Sequence, residues 1–164
     1  MKLTTKFITH SAIIAALYII FTEISNLFGL ASGVIQVRIS EALTILPMFT
    51  PAAVPGLFVG CLISNIICGN LFWDVIFGSI ATLIGAIGTY YLGKNKYLGV
   101  LFPVLSNTII IPFVLKFVYC FEDAIWYFML TVGIGEIVSC GVLGILLYDI
   151  LKKKKIFENK NLSI

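Results

Sequence analysis

Four stretches of this chain, at about 7–29, 74–92, 97–118 and 125–150, stay apolar for the length of a membrane-crossing helix. A helix needs about 20 such residues to cross a hydrocarbon core ~30 Å thick. That feature dictates the solvent. In lipid every backbone polar group must be satisfied internally, and helices do this within one segment. Composition agrees: 60% of the 164 residues are hydrophobic and 12% are charged, against about 25% charged in soluble domains. The mean hydropathy is +1.07. The expectation is an all-α integral membrane protein forming one domain over 1–164.

Between the first two long stretches lies 40–69, broken by Pro47, Pro51 and Pro55. It divides into about 40–50 and 53–69, short for spanning helices. The turn TPAAVP holds residues that end one helix and start the next. Residues 2–31 carry Lys2, Lys6 and an apolar run, as a signal peptide does. The run is too long for a typical signal sequence, and Glu23 and Asn26 interrupt it. It reads as a retained first helix, giving a six-helix bundle with 151–164 as a basic tail.

Basic residues favour the cytoplasmic side of a membrane. Lys2 and Lys6, Lys94 and Lys96, and Lys152 to Lys155 form three clusters. With six spans all three fall on one side, so both termini are expected in the cytoplasm. A re-entrant 40–69 hairpin preserves the same parity. Asp74, Glu122 and Asp123 then face outside. Arg38 and Lys116 break the pattern, because both fall on the outer side. Arg38 and Glu41 are opposite charges three residues apart. Ser40 can cap the helix that Glu41 enters, where an acid complements the helix dipole.

Small residues recur at helical spacing: Ala12 and Ala16; Gly56, Gly60 and Ser64; Gly78, Thr82, Gly85 and Thr89; Gly133, Cys140, Gly141 and Gly144. Such stripes let helix backbones approach closely. Most of them suit packing inside the bundle. The Ala12–Ala16 stripe suits a second subunit equally well.

Ionisable groups within the membrane are costly and mark function. Here they gather toward one end. Glu41, Asn65, Asn70, Trp73, Asp74, Lys116 and Trp126 lie toward the outer side, while Asn107 and Glu136 sit deeper. They predict an outward-facing polar pocket with Trp73, Trp126, Tyr119 and Phe72 as flat walls. Carboxylates, amides and aromatic faces suit a small planar ligand rich in hydrogen-bond donors. Trp73, Asp74 and Trp126 also suit plain interface anchoring. Glu136 reads as a ligand contact or as one member of a buried pair with Lys116 or an amide.

Several classes are excluded. The four cysteines form no CxxC and His10 is the single histidine, so no metal site is expected. No GxxxxGK phosphate loop, HExxH or GxSxG occurs, so no enzymatic role is expected. The basic tail reads as a membrane anchor and not as a nucleic-acid arm.

The block QVRISEALTILPMFTPAAVPGLFVGCLISNI, 36–66, resembles the QueT family of queuosine-precursor transporters. The resemblance continues through GNLFWDVIFGSIATLIGAIG, PVLSNTIIIP and GIGEIVSCGVLG. It implies a substrate-binding S-component of an energy-coupling factor (ECF) transporter in the bacterial plasma membrane. Such a component joins a transmembrane coupling protein and two ATPase subunits. The chain itself would bind no cofactor, with ATP and Mg used by the partner ATPases. The resemblance also implies that Ala12 and Ala16 face the coupling protein, and that the substrate is a 7-deazaguanine compound or derivative. On chemistry, Glu136 and Asn107 are assigned to the base edge and Trp73 or Trp126 to stacking. Glu41, Asn65, Asn70, Asp74 and Arg38 are further candidates. The alternative is a self-sufficient secondary transporter or channel coupled through Lys116 and Glu136.

Overall fold

The computed structural model describes residues 4–30 and 36–154. Lys2, Lys155 and the remainder of the basic tail lie outside the described residues. The elements in chain order are α1 (Thr5–Leu27), a 3-10 helix (Ile39–Met48), α2 (Ala53–Ile67), α3 (Phe72–Leu92), α4 (Lys96–Phe117), α5 (Ile125–Glu136), a π turn (Ile137–Leu143) and α6 (Gly144–Lys153). The last three form one continuous 29-residue helix, Ile125–Lys153. No strand occurs among the described residues. Among the described residues four helices are long and apolar enough to cross a membrane.

The stretch expected as a helix at 40–50 is a 3-10 helix, ten residues long. A rise of about 2.0 Å per residue makes it ~20 Å long. The 15 residues of α2 reach ~22 Å at 1.5 Å each. Neither alone matches the ~30 Å hydrocarbon core. The 3-10 helix is instead an internal element, with Ser40 through Pro47 all buried. It packs against α1, α3, the π turn and α6. Runs this long are uncommon because their hydrogen-bond geometry is poor, so surrounding side chains must help to hold the backbone.

They do so from α1. Ser25 Oγ accepts the Ile39 N–H at 2.9 Å. Thr22 Oγ1 donates to Ser40 Oγ at 2.8 Å. Thr44 Oγ1 donates back to the Glu41 carbonyl at 2.6 Å. Ser40 therefore does not cap this helix; Arg38 occupies the cap position without a side-chain bond to it. The capping oxygen comes from Ser25, fourteen residues away.

The main core joins Ile14 and Tyr18 of α1, Leu43 and Leu46 of the 3-10 helix, and Leu57 and Cys61 of α2. Close approach of α1 and α2 depends on glycine. A Cβ on Gly60 would lie 2.8 Å from the Tyr18 Cβ. The helix α2 is followed, after Cys68, by Gly69, whose φ of 73° is the left-handed conformation glycine adopts without a Cβ penalty. That turn returns the chain to a pocket at the start of α3. Of the four long helices, α1 is the least covered: 28% of its apolar window is buried, against 33% or 44% for the others.

Candidate functional site

The pocket lies where α3 begins, at the end of that helix opposite Lys94 and Lys96, which follow its other end. It has a volume of about 450 Å³, within the size range of small-molecule sites. Its polar lining includes Gln36, Arg38, Asn70, Asp74 and Asp123. Its apolar walls include Ile111, Leu115, Tyr119, Phe121 and Phe128.

Two hydrogen-bonded chains shape this lining. Arg38 donates through Nη1 to Asn65 Oδ1 at 3.2 Å and through Nη2 to Gln36 Oε1 at 3.3 Å. Asn70, delivered by the Gly69 turn, donates to the same Asn65 oxygen at 2.9 Å. Asn65 is buried and lines neither cavity described here. It positions Arg38 and Asn70, which do line the pocket. In the second chain Tyr119 OH donates to Asp74 Oδ2 at 2.7 Å. Burial first, and then the Asp74 carboxylate, push the Tyr119 hydroxyl up to about 12. At neutral pH Tyr119 is therefore a neutral donor that leaves Asp74 Oδ1 to other partners. The Tyr119 and Phe121 rings stack with centroids 6.0 Å apart.

A second, smaller cavity of about 30 Å³ adjoins the first. Gln36, Arg38 and Ile111 line both. Glu41, Cys61, Thr82, Asn107 and Glu136 complete the deeper polar wall. Glu136 Oε1 accepts from Asn107 Nδ2 at 2.9 Å and Oε2 from Cys140 Sγ at 3.1 Å. Glu41 accepts from Tyr18 OH. Glu41, Glu136 and Cys140 each offer an atom within 4.8 Å of the other two. Linear spacing hides this grouping, because the 3-10 helix and the π turn bring residues almost a hundred positions apart together.

The π turn starts directly after Glu136 and contains Cys140. Its backbone closes i→i+5 bonds, a wider turn often found at functional sites. Beside it, Gly135 lies so close to the Gln36 carbonyl that a Cβ there would collide with it. Glycine at 135 thus lets the Gln36–Arg38 segment pass against α5.

The structure redistributes the expected residues. Arg38, Asn70 and Asp74 line the larger pocket; Arg38, Glu41, Asn107 and Glu136 line the smaller one. Trp73 and Trp126 line neither, being 54% and 69% exposed. Trp73 stacks on Phe77 along the outside of α3. Each tryptophan stands at the first turn of its helix on a face turned from the bundle, so Tyr119, Phe121 and Phe128 supply the aromatic walls. Lys116 does not pair with Glu136. It donates to the carbonyls of Glu122 and Asp123 at 3.0 and 3.1 Å, fastening the loop after α4. Nor do Arg38 and Glu41 form an ion pair, since one turns to amides and the other to a phenol. Among the described residues the ion pair is Lys96–Asp149, at 2.7 Å.

Gln36, Tyr18, Thr22 and Phe128 join the two cavities or their supports without being among the residues the sequence points to. A signal for two of them exists: Tyr18, Thr22 and Ser25 recur at four and three residues in an apolar helix, a polar stripe on one face. Gln36 carried no such signal. Ala12 and Ala16 lie on the exposed side of α1, while Ile14, Ala15 and Tyr18 are buried.

Comparison with known proteins gives a consistent result. The family model described as QueT transporter matches residues 8–153. The chain is 38% identical over 84 residues, 51% of its length, to the queuosine precursor transporter QueT of Lactococcus lactis subsp. cremoris (strain MG1363). The matched stretch spans about half that relative's length, 48%. No solved structure matches the chain.

Proposed function

The chain belongs to the QueT transporter family, and we propose that it is the substrate-binding component of an ECF transporter for a 7-deazaguanine-type queuosine precursor. It is a multi-pass membrane protein. In this reading six segments cross or enter the bilayer, with both termini in the cytoplasm. The Lys6, Lys94, Lys96 and Lys152–Lys154 end faces inward, and the Asp74 pocket opens outward. Substrate is captured from outside, and a separate coupling protein with two ATPases drives its release inward. ATP and Mg belong to those partners.

The observation that carries the substrate reading is the larger pocket. Its carboxylate, amide and guanidinium groups share a chamber with a tyrosine–phenylalanine stack. A guanine-like edge offers N–H donors to a carboxylate and a carbonyl to an amide or guanidinium. Asp74 and Asn70 suit the donor edge, Arg38 suits the carbonyl, and Tyr119 with Phe121 suits the ring face. The relative named above is described as a queuosine precursor transporter, which supports the same substrate class. For the partner, the support is the exposed Ala12–Ala16 face of the least covered long helix. Small residues there leave room for close helix approach. The self-sufficient carrier alternative drew on a Lys116–Glu136 pair, and Lys116 is engaged elsewhere.

Two measurements test the proposal. Mass spectrometry of the ligand that co-purifies should find a 7-deazaguanine. Uptake should vanish in cells lacking the coupling protein; undiminished, concentrative uptake there would overturn the assignment.

A further inference from the structure

The exposed side of α3 and α4 is not smooth. Between the two helices runs a groove of about 460 Å³, walled by Phe77 and Ile80 of α3 and by Ile109, Phe113, Phe117 and Val118 of the α4 strand of the chain. Every residue that lines it is apolar. It shares no residue with the two polar cavities. In a chain that crosses the bilayer such a cleft is filled, because a void leaves its walls without contact partners.

Its length selects the occupant. From Ile109 to Val118 the groove follows α4 for about 13 Å at 1.5 Å per residue. That is close to half of the ~30 Å hydrocarbon core, the depth of one leaflet. A partner helix crossing the membrane would need a seam through the whole core, with small residues along it. This groove covers one half and is walled by phenylalanine, isoleucine and valine. A single acyl chain matches both its length and its chemistry.

The rim adds a charge. The groove reaches the end of α4, and Lys116 stands in the last turn of that helix. At 3.6 residues per turn it falls about 20° from Ile109 and about 60° from Phe113 around the helix axis. An ammonium has three donors, and two of them go to the carbonyls of Glu122 and Asp123. Carbonyls leave its charge uncompensated, and neither neighbouring carboxylate pairs with it among the described residues. On the other wall, Trp73 in the first turn of α3 stacks on Phe77 with centroids 6.0 Å apart. An exposed indole at a helix end marks the headgroup level of a membrane. A free positive charge and an indole thus stand at the same end of the groove, at the depth of a lipid phosphate.

From this one-leaflet length, apolar lining and cationic rim, we infer that the α3–α4 groove binds an anionic phospholipid, with one acyl chain between Phe77 and Phe113 and the phosphate at Lys116. The leaflet is the outer one in the orientation proposed above, and the site itself does not depend on the substrate reading. Lys116, a basic residue at the end of the bundle where such residues are scarce, gains a ligand. It also holds the loop whose Asp123 lines the larger pocket, so the lipid lies beside the border of the substrate site.

The test is native mass spectrometry of the full chain, purified in mild detergent and incubated with phosphatidylglycerol or with phosphatidylcholine of the same acyl chains. One phosphatidylglycerol should be retained, about fivefold more than phosphatidylcholine, the ratio expected for one lysine near an anionic headgroup. Lys116→Gln should erase that ratio while phosphatidylcholine retention stays unchanged. Ile80→Phe combined with Ile109→Phe fills the groove and should remove most of the retention of both lipids. Ile84→Phe, at an exposed position of α3 outside the groove, should not. A cooperative thermal transition in detergent reports that each variant is folded. Equal retention of the two lipids, or a preference that survives Lys116→Gln, overturns the headgroup assignment. Undiminished retention in the groove-filled variant overturns the site. A photo-crosslinker placed at Phe113 in membranes should capture lipid; capture of a second copy of the chain or of another protein's helix would overturn the lipid assignment.

Discussion

Tyr119 and Asp74 meet across the pocket, the phenol donating to Asp74 Oδ2 at 2.7 Å. The contact ties the segment after α4 to the first turn of α3 and orients a carboxylate that is only 8% exposed. Asp74→Asn exchanges an anionic acceptor for an amide. A hydrogen bond to a charged group contributes about 1.5–3 kcal/mol, so substrate affinity should fall roughly 10- to 100-fold. Tyr119→Phe keeps the ring and loses the donor, and should cost less than about tenfold. Calorimetric titration of both variants checks the order; a larger loss in Tyr119→Phe would contradict it.

Arg38 is held as a fork, one nitrogen on Asn65 and the other on Gln36. Lysine cannot reproduce that planar geometry. Arg38→Lys should therefore weaken binding, and Asn65→Ala should weaken it too by freeing both Arg38 and Asn70. The bond from the charged guanidinium contributes about 1.5–3 kcal/mol and the neutral one from Asn70 about 0.5–1.5 kcal/mol, so the Asn65→Ala loss should be about tenfold or more. Because Asn65 acts through Arg38 and Asn70, Asn65→Ala combined with Arg38→Lys should cost less than the sum of the two changes. Strict additivity would show that Asn65 acts independently of Arg38.

The two tryptophans give a negative prediction. Both stand outside the cavities, so Trp73→Ala and Trp126→Ala should leave affinity unchanged within about twofold, as is usual for surface changes of ±0.5 kcal/mol. A tenfold loss in either titration would place that indole in the site.

Ala12→Trp probes the opposite face of the protein. Ala12 is exposed and makes no part of the pocket. A bulky ring there should block co-purification with the coupling protein and abolish uptake, with ligand binding intact. Lost binding alongside normal assembly would refute the partner role given to α1.

Gly60→Val tests the α1–α2 seam. A Cβ there falls 2.8 Å from the Tyr18 Cβ and 3.0 Å from the Ala15 carbonyl oxygen. Overpacking typically costs about 1–3 kcal/mol. The thermal midpoint in detergent should drop. It should drop less for Gly133→Ala, whose added Cβ would meet Thr108 at an ordinary 3.5 Å.

Hydropathy and lysine placement alone separate this chain from soluble proteins, and length alone marks the four long helices. Those properties are legible because lipid imposes a single rule on every backbone group in a span. The polar residues Arg38, Asn70, Asp74, Asn107 and Glu136 are legible as candidates for the converse reason, since a charge or amide in lipid is expensive wherever it sits. Their partners are not legible. Opposite charge and short spacing suggest Arg38–Glu41, yet Arg38 bonds Asn65 and Gln36 and Glu41 bonds Tyr18. Likewise Trp73 and Trp126 have the chemistry of a stacking wall, and their helix faces turn them outward.

What the sequence determines by itself is the solvent, the helical class and the inventory of groups that must be compensated in lipid, because each follows from local transfer energies summed along the chain. What only the tertiary structure decides is which of those groups meet. The 3-10 course of Ile39–Met48 and the π turn after Glu136 set the rotation of each side chain about its axis. A few tens of degrees there separate a shared cavity from a lipid-facing surface. That rotation is fixed by packing between segments distant in sequence, such as Gly135 against Gln36, and no local pattern encodes it.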